Sequence, residues 1–388
     1  MKRSIKVLIL LSIILIFSYF FITKIVTNIK FNKTYSLLNY EQIQLIKKYI
    51  LPYKVISQQQ NKISQLKKKV SKQEHMQQYY LQFELDKKKI GTDIEISESY
   101  VKLENDITLK KYNLTSGFYY GIHEKAPGSG YIDFFNDNIF VLSSRGILAY
   151  RKNLDNEDEN FRQINNNINN FININQFKKK RWFSLKDIHI FKDQIFISYT
   201  EEINENCWNT SVIQGTINYE NIQFKKLFSP NECIHSTNNV DKIFNAHQSG
   251  GKMISFDDNH ILLSIGDYRS RHLAQNKKSL NGKIIKININ NSDYEIISMG
   301  HRNPQGLYFD KENNFILEAE HGPMGGDEIN LIDVKKINKD NILNYGWALV
   351  SAGEHYGGKI DANRKTYEKY PLYKSHSKYG FIEPLKSF

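Results

Sequence analysis

The chain has 388 residues, 40% of them hydrophobic and 24% charged, with a formal net charge of +12 at pH 7. The charge is uneven: residues 1–90 carry 17 Lys or Arg and 4 Asp or Glu, whereas the other 298 residues carry 36 and 37. A domain that binds nucleic acid carries its basic excess on its folded surface, so this distribution excludes a nucleic-acid partner. A basic arm beside an anionic membrane surface fits it better.

An apolar segment near the N-terminus predicts a membrane anchor. Residues 7–22 contain no charge and follow the basic residues 1–6. A spanning helix needs about 17–25 such residues, and Lys24 can extend its side chain to the interface. No small-residue cleavage site follows, which favours an uncleaved anchor over a cleaved signal peptide or a buried helix. We predict a cytoplasmic head and signal-anchor over residues 1–30 in the inner (cell) membrane, with the rest periplasmic (extracytoplasmic).

Residues 31–90 are predicted to form a basic helical stalk or linker. Aliphatic residues recur three or four positions apart on either side of Pro52: Ile43, Ile46, Ile50, Ile63, Leu66 and Val70. That spacing is typical of a helix, and proline interrupts one. The apolar seam does not continue over three heptads, so a coiled coil and a solvated spacer both remain open.

From about residue 128 a repeated pattern predicts an all-β fold. Four segments combine an alternating run, a turn rich in Asp and Asn, and an apolar run: residues 130–142, 186–198, 252–264 and 306–318. Each reads as a β-hairpin. Repeats at this spacing favour a β-propeller over an irregular β-sandwich. We therefore predict connecting strands over residues 91–127 and a partial propeller over residues 128–388.

Two cysteines, Cys207 and Cys233, lie 26 positions apart in loop-like surroundings. They are too few for a four-cysteine zinc site. One disulfide in an exported protein and two buried free thiols are both compatible with this spacing.

Unusual polar loops follow or precede the third and fourth repeats. His247 and Asp267 flank the third, and Arg302 and Asn303 precede the fourth. In a propeller such loops converge at the axis, so these four residues are expected to meet. A histidine beside a carboxylate is a competent general base, although a single histidine is more often a turn or core residue. The loop after the fourth repeat combines acidic side chains with Gly and Pro carbonyls, which are the oxygen ligands that Ca²⁺ prefers.

A set of motifs in this order resembles one known family. The motifs are His-Gln-Ser-Gly-Gly at 247, Ile-Gly-Asp at 265, Leu-Asn-Gly-Lys at 280, His-Arg-Asn-Pro-Gln-Gly at 301, Glu-His-Gly-Pro at 320 and Asn-Tyr-Gly-Trp at 344. Together they resemble the glucose/sorbosone dehydrogenase family, the soluble aldose sugar dehydrogenases that depend on pyrroloquinoline quinone (PQQ). The resemblance extends from about residue 128 to the end and implies a six-bladed β-propeller.

The resemblance also implies an activity and a set of site residues. His247 corresponds to the base that takes the proton of the sugar C1 hydroxyl, and Asp267 to the residue that orients it. Arg302 and Asn303 correspond to PQQ-binding residues. The activity implied is oxidation of an aldose at C1 by hydride transfer to PQQ.

The same resemblance implies a Ca²⁺ ion that polarises the quinone. Its ligands correspond to the backbone carbonyls of Gly322 and Pro323. Metal polarisation of this kind lowers a barrier without proton transfer. The implied cofactors are therefore PQQ and Ca²⁺, and the implied partners are a small sugar and, through the N-terminal helix, the lipid bilayer.

Two departures from the family pattern matter. The family has a PQQ-contacting Gln on an earlier loop, whereas residues 180–185 here contain none, with Arg181 or Trp182 as substitutes. At 55–65 residues per repeat, residues 128–388 provide about four blades and a remnant. The alternatives are a truncated product, a propeller that a partner or second copy closes, and a non-catalytic binding module.

Overall fold

The computed structural model describes residues 14, 17–18, 56–70, 93–94, 96–104, 107–114, 130–144, 146–152, 160–172, 176, 184–338, 342–356 and 364–388. The chain divides into two compact units, Met1–Gln77 and Gln78–Phe388.

The first unit contains a helix over residues 56–70. Its aliphatic residues Ile63, Leu66 and Val70 are each about half exposed (52%, 52% and 50%). Residues 14, 17 and 18 are also helical, and the rest of the predicted membrane anchor lies outside the described residues. Among the residues that are described, no helix combines the length and the apolar character needed to cross a bilayer.

The second unit is built almost entirely from β-strands. Its two-stranded hairpin and first sheet consist of β1 (Asp93–Ile94), β2 (Ile96–Lys102), β3 (Thr108–Leu114), β4 (Gly130–Phe135), β5 (Asn138–Ser143), β6 (Leu148–Lys152) and β7 (Phe161–Asn166). β2 pairs with β3, and the first sheet has the order β1-β7-β6-β5-β4. The predicted strands over residues 91–127 are thus present in the described part of that range.

Three further sheets follow in chain order. The second contains β8 (Leu185–Phe191), β9 (Gln194–Asn204), β10 (Cys207–Thr216), β12 (Lys225–Phe228) and β13 (Ile234–His235), while β11 (Asn221–Ile222) pairs with β7 of the first sheet. The third contains β14 (Gly250–Asp257), β15 (His260–Ile265), β16 (Lys283–Asn288), β17 (Tyr294–Met299) and β21 (Leu343–Asn344). The fourth contains β18 (Pro304–Asp310), β19 (Phe315–Glu320), β20 (Glu328–Asp333) and β22 (Lys386–Ser387).

Within the described residues of this unit, the helices that have both ends defined are short. They are the α-helix Arg364–Lys369 and the 3-10 turns Ile168–Asn170, Ala246–Gln248, Arg271–Gln275, Val334–Lys336 and Ser377–Tyr379. The Asn-rich residues 163–170 span the end of β7 and the turn Ile168–Asn170.

The four repeats seen in the sequence are the four opening hairpins, β4–β5, β8–β9, β14–β15 and β18–β19. Two of their turns place an asparagine in the left-handed region, Asn136 at φ 52° and Asn314 at φ 58°. Asparagine tolerates this conformation better than most residues, so it favours the reversal of the chain in these two turns; in the β8–β9 turn the left-handed residue is Lys192 at φ 57°. The prediction of repeated hairpins is confirmed.

Each pair of consecutive sheets encloses its own apolar core. Neighbouring residues of one strand serve different cores: Leu262 packs between the third and fourth sheets, whereas Leu263 packs between the second and third. Successive side chains of a strand point to opposite faces, so both faces of the middle sheets are covered. This explains why their sequences are continuous apolar runs.

Aspartates connect the first strands of neighbouring sheets. Asp133 on β4 accepts the backbone N–H of Ile190 on β8 (2.6 Å), and Asp187 on β8 accepts that of Met253 on β14 (2.8 Å). Between the third and fourth sheets, the Ser264 hydroxyl donates to the Pro304 carbonyl (2.8 Å). Consecutive antiparallel sheets whose first strands adjoin form the blade arrangement of a β-propeller.

The C-terminal residues differ from the predicted remnant of a further blade. β21 extends the third sheet in parallel with β17, and β22 extends the fourth sheet beside β20. In the described part of the chain, these residues therefore complete existing sheets rather than begin a fifth one. Cys207 and Cys233 form a disulfide with a Cα–Cα distance of 5.2 Å, which resolves the alternative that the sequence left open.

Candidate functional site

Loops of the third and fourth sheets meet at the same end of those sheets. The backbone N–H of Asp267 donates to the Arg302 carbonyl (2.9 Å), and that of Tyr268 donates to the Gln248 carbonyl (2.9 Å). The backbone N–H of Gly250 donates to Asn303 Oδ1 (3.2 Å). Three sequence-distant loops are thus fixed to one another by main-chain hydrogen bonds. The expected convergence of these loops is present.

Asp267 is fully buried in this cluster (0% exposed). Its Oδ2 accepts the Trp347 indole N–H (2.8 Å), and its Oδ1 accepts the backbone N–H of Arg269 (2.7 Å). Burial raises the pKa of Asp267, and the charge of Arg302 and these hydrogen bonds oppose that rise. A neighbouring cation and fixed donors therefore favour the carboxylate form against the effect of burial.

Arg302 is the cation of the same cluster and is also buried. Its Nη1 donates to the carbonyls of His321 and Gly322 (both 2.6 Å), and its guanidinium lies 5.5 Å from the centre of the Trp347 ring. Burial lowers the pKa of Arg302, and Asp267 opposes that shift. The two charges stabilise each other in a site where either one alone would be costly.

Gln248 joins these two charged groups. With its amide oriented to satisfy its neighbours, it donates to Asp267 Oδ1 (3.0 Å) and accepts from Arg302 Nη2 (2.8 Å). Gln248 belongs to the His-Gln-Ser-Gly-Gly motif, but no role was predicted for it. We call Asp267, Arg302, Gln248 and Trp347 the Asp267 cluster.

His247 lies at the edge of this cluster, on the 3-10 turn Ala246–Gln248. Its side chain is exposed, and its backbone N–H donates to Asn245 Oδ1 (2.9 Å). Because it directly precedes Gln248, its backbone is held by a residue that binds both Asp267 and Arg302. The predicted role of Asp267 in orienting the imidazole stays a prediction, and the hydrogen bonds described above link Asp267 to Trp347, Arg269 and Gln248.

The Gly322–Pro323 loop closes the other side of Arg302. The Gly322 carbonyl accepts from Arg302, its N–H donates to Asp327 Oδ1 (3.0 Å), and the Pro323 carbonyl accepts from the Gly326 N–H (2.9 Å). A Cβ at Gly322 would lie 1.6 Å from the Gly326 carbonyl oxygen, so only glycine fits there. Both predicted metal-ligating carbonyls thus accept one protein hydrogen bond, and a carbonyl oxygen has two lone pairs.

Two further arginines extend the positive charge of the site. Arg269 is partly buried with φ 67°, and Arg271 lies with its guanidinium 5.2 Å from the Tyr370 ring centre. Burial lowers the pKa of Arg269, and the charges of Arg271 and Arg302 lower it further. The charges of Arg302 and Arg271 act on the carboxylate of Asp267, and the charge of Asp267 acts on Arg269. In the sequence, Arg269 and Arg271 stand out in the run Asp267-Tyr-Arg-Ser-Arg271, but neither was assigned a role. The two predicted substitutes for the missing glutamine, Arg181 and Trp182, lie outside the described residues.

Two curated proteins similar to this chain carry the names of sugar dehydrogenases. Aldose sugar dehydrogenase YliI of Escherichia coli (strain K12) is 27% identical over 181 residues, which are 42% of this chain and 44% of that protein. Quinoprotein glucose dehydrogenase B of Acinetobacter calcoaceticus is 33% identical over 147 residues, 30% of this chain and 29% of that protein. The alignments with these curated relatives span less than half of their length.

One solved structure resembles this chain over part of its length. The crystal structure of soluble aldose sugar dehydrogenase from E. coli in the apo-form superposes with a TM-score of 0.48 and 21% identity, over 66% of this chain and 71% of that one.

The family comparison covers the site itself. Residues 185–378, half of the 388-residue chain, match the glucose/sorbosone dehydrogenase family. The loops that carry Asp267, Arg302 and Gly322 all lie within this match. The chain therefore belongs to the glucose/sorbosone dehydrogenase family.

Proposed function

We propose that this chain oxidises an aldose sugar at its C1 hydroxyl, with PQQ as the cofactor. The observation that carries the proposal is the group of three arginines, Arg269, Arg271 and Arg302, around one buried carboxylate, Asp267. PQQ is a planar tricarboxylate, and arginine offers a fork of donors that matches carboxylate geometry. The excess of positive charge in the site fits such an anion.

His247 is proposed as the base. Its imidazole is exposed at the edge of the cluster, where a sugar hydroxyl can approach it. Gln248 binds Asp267 and Arg302, so the turn that carries His247 is fixed before substrate arrives. A positioned histidine that removes a proton contributes about 10²–10⁴ to a rate. When bound, PQQ would supply the hydride acceptor for C1.

Arg302 and Asn303 are proposed to hold the cofactor. Arg302 is fixed by Gly322, His321 and Gln248, and Asn303 is fixed through Gly250. Such prior fixation reduces the ordering cost of binding. We also propose Ca²⁺ at the carbonyls of Gly322 and Pro323, through the lone pair that each retains, where it would polarise the quinone.

The decisive experiment is reconstitution of the full chain with PQQ and Ca²⁺. Cofactor binding is followed by fluorescence quenching, and turnover by the absorbance of reduced cofactor after an aldose is added. We expect both signals, and we expect EGTA to abolish the second. A folded protein that binds PQQ and never reduces it in the presence of aldoses would contradict the proposed activity.

One observation favours a second candidate, a binding module without turnover. The guanidinium of Arg302 already donates to three protein acceptors, the carbonyls of His321 and Gly322 and the side chain of Gln248. Donors that are already hydrogen-bonded within the protein stabilise the fold and are not available to a ligand. Failure to bind PQQ by a folded chain would favour this candidate, and light scattering would show whether a second copy completes the ring.

We further propose that residues 7–22 anchor the chain in the cell membrane with the β-propeller outside the cytoplasm. The apolar run supports this, and the Cys207–Cys233 disulfide fits an oxidising compartment. After alkaline carbonate extraction of membranes, the full chain should remain in the pellet. Recovery in the supernatant would contradict the anchor.

A further inference from the structure

A second cluster of buried polar side chains begins at His301, which directly precedes Arg302 in the chain. His301 precedes β18, and Glu318 and Glu320 lie on β19; all three are buried (0%, 0% and 6% exposed). His301 Nδ1 lies 3.6 Å from Glu318 Oε2 and 4.0 Å from Glu320 Oε1. One ligand atom from each of the three residues lies within 4.8 Å of the other two. We call these residues, with Asn330, the His301 pocket.

The His301 ring is held so that one nitrogen faces the carboxylates. Its Nε2 is hydrogen-bonded to the Ser298 hydroxyl (2.8 Å), and its ring stacks on Tyr345 with centroids 5.1 Å apart. Outer hydrogen bonds of this kind fix the orientation of metal-ligating histidines. The geometry presents Nδ1 to Glu318 and Glu320.

Several polar atoms of the pocket have no partner. Within the described part of the chain, His301 Nδ1, Glu318 Oε1 and Asn330 Oδ1 are buried without a hydrogen bond. Asn330 Nδ2 donates to Glu318 Oε2 (2.8 Å), so the amide is oriented by the same carboxylate. Buried polar atoms are nearly always paired in folded proteins. Three such atoms in one pocket point to a missing ligand.

The charges of the pocket point to a cation. Glu328, on the neighbouring strand, lies opposite Glu320 in the sheet register and adds a third buried carboxyl group. Arg302, the nearest guanidinium along the chain, donates to Gln248 and to the carbonyls of His321 and Gly322. The ammonium of Lys283 donates to three carbonyls, those of Leu273, Ala274 and Asn281. The charge of Arg302 still acts on Glu320, and His376 Nε2 lies 3.7 Å from Glu328 Oε1. Arg302 alone does not balance three buried carboxyl groups, and incompletely compensated buried charge is costly.

We propose that His301, Glu318, Glu320 and Asn330 bind a divalent transition-metal ion. A nitrogen with several oxygens suits Zn²⁺ or Mn²⁺, whereas Ca²⁺ favours oxygen alone. An ion about 2.0–2.2 Å from each ligand accommodates the observed separations of 3.6 and 4.0 Å with small adjustments. The site is separate from the carbonyls of Gly322 and Pro323.

The metal would act as a positioning element for the Asp267 cluster. Glu320 Oε2 accepts the backbone N–H of Arg302 (2.5 Å), while its Oε1 faces His301. A metal on Oε1 therefore fixes the carboxylate that holds the Arg302 backbone. The proposal does not rest on sugar oxidation, because metal content is measured without PQQ or sugar.

The test uses the full chain purified after growth with Zn²⁺ or Mn²⁺ and desalted without free metal. We measure metal per chain by mass spectrometry, and the thermal unfolding midpoint before and after EDTA. Glu318→Gln removes a ligand charge with little change of shape. Glu312→Gln is the matched control, since Glu312 is exposed in the turn of the same hairpin.

We expect about one metal ion per wild-type and E312Q chain, and at least about tenfold less in E318Q. EDTA should lower the unfolding midpoint of wild type and E312Q and leave that of E318Q unchanged, because a ligand stabilises the state that binds it. If E318Q does not fold, the thermal unfolding midpoint of wild type is the test. A rise of this midpoint when Zn²⁺ or Mn²⁺ is added to metal-free wild-type protein supports the site.

Two results would overturn the proposal. The first is wild-type protein that holds less than about a tenth of an ion per chain and shows no midpoint shift with either metal. The second is E318Q with an undiminished metal content. In the first case protons shared between Glu318 and Glu320 would neutralise the pocket, and E318Q would then be as stable as wild type or more stable.

Discussion

The Asp267 cluster and the His301 pocket are both buried, and they adjoin where His301 precedes Arg302 in the chain. They differ in how their charges are satisfied. In the Asp267 cluster, opposite charges face each other and Asp267 accepts from Trp347 and Arg269. In the His301 pocket, like charges face each other and three polar atoms lack partners. The first is complete without a bound ion, whereas the second needs a proton or a metal to be complete.

The largest effect should come from breaking the charge balance of the Asp267 cluster. Asp267→Ala leaves the buried Arg302 without its counter-ion, and removing one partner of a buried pair costs about 3–5 kcal/mol. Urea unfolding measures the free energy of unfolding. Asp258→Ala is the control, because that side chain is 92% exposed. A loss below about 1 kcal/mol, as for a surface pair, would show that the two charges do not stabilise each other.

His247 and His301 allow the two sites to be compared in catalysis. His247 is exposed, whereas His301 is buried against Tyr345. His247→Ala should lower turnover about 10²–10⁴-fold and leave the urea midpoint and PQQ affinity close to wild type. The control is His260→Ala, in the β14–β15 hairpin at the opposite end of the third sheet. If H247A turned over at the wild-type rate, His247 would not be the base.

Arg302→Lys separates the charge of Arg302 from its shape. The lysine keeps a cation near Asp267 but cannot reproduce the planar contacts to His321, Gly322 and Gln248. We expect a loss of about 1.5–3 kcal/mol in unfolding free energy, the range for a hydrogen bond to a charged group, and weaker PQQ binding by fluorescence titration. Arg162→Lys, on an exposed position of the first sheet, is the control. An unchanged PQQ affinity would favour a structural role for Arg302.

Replacement of Lys283 is expected to give the smallest effect. It tests the charge of the lysine at the edge of the His301 pocket. Burial lowers the pKa of Lys283 to about 7 in the folded state, from the 10.5 of an ordinary lysine. The folded state thus favours the neutral amine of Lys283. The free energy of unfolding therefore rises as the pH rises above 7, and it falls again when the pH is lowered through the unfolded and then the folded pKa. The three carbonyls that accept from Nζ stabilise the ammonium and reduce this effect.

The measurement is the unfolding free energy at pH 7 and at pH 9.5. Wild type should gain about 1–2 kcal/mol more over this interval than Lys283→Met, since one pKa unit corresponds to about 1.4 kcal/mol. Lys278→Met, at an exposed position, should behave as wild type. An identical pH dependence in K283M would mean that the ammonium is as stable inside the fold as in water.

Several features of the fold could be predicted because they depend on local chemistry. Alternation and Asn-rich turns located the four opening hairpins, since strand period and left-handed turn residues act over a few positions. The outer strands were harder. β11 and β21 are two residues long and join sheets to which their sequence neighbours do not belong, and only the packing of those sheets selects them.

The candidate site shows the same division. Asp267, Arg302, Asn303 and Gly322 were predicted as site residues because their motifs occur in a fixed order; the structure brings their loops together, and their roles stay predictions. Gln248 and Trp347 could not be assigned, because their role arises only when two charged residues from other loops reach them. The His301 pocket was missed for a related reason: Glu318 and Glu320 alternate along β19 as though one face of that strand were exposed.

By itself, the sequence determined the repeated hairpins, the order of the family motifs and the basic, apolar N-terminal arm, since each depends on residues close together in the chain. The tertiary structure decided which charges are paired. Asp267 and Arg302 are 35 positions apart, and Trp347 is 80 positions from Asp267. Whether a buried carboxylate meets a cation or another carboxylate depends on how the sheets pack, and no local pattern encodes that distance.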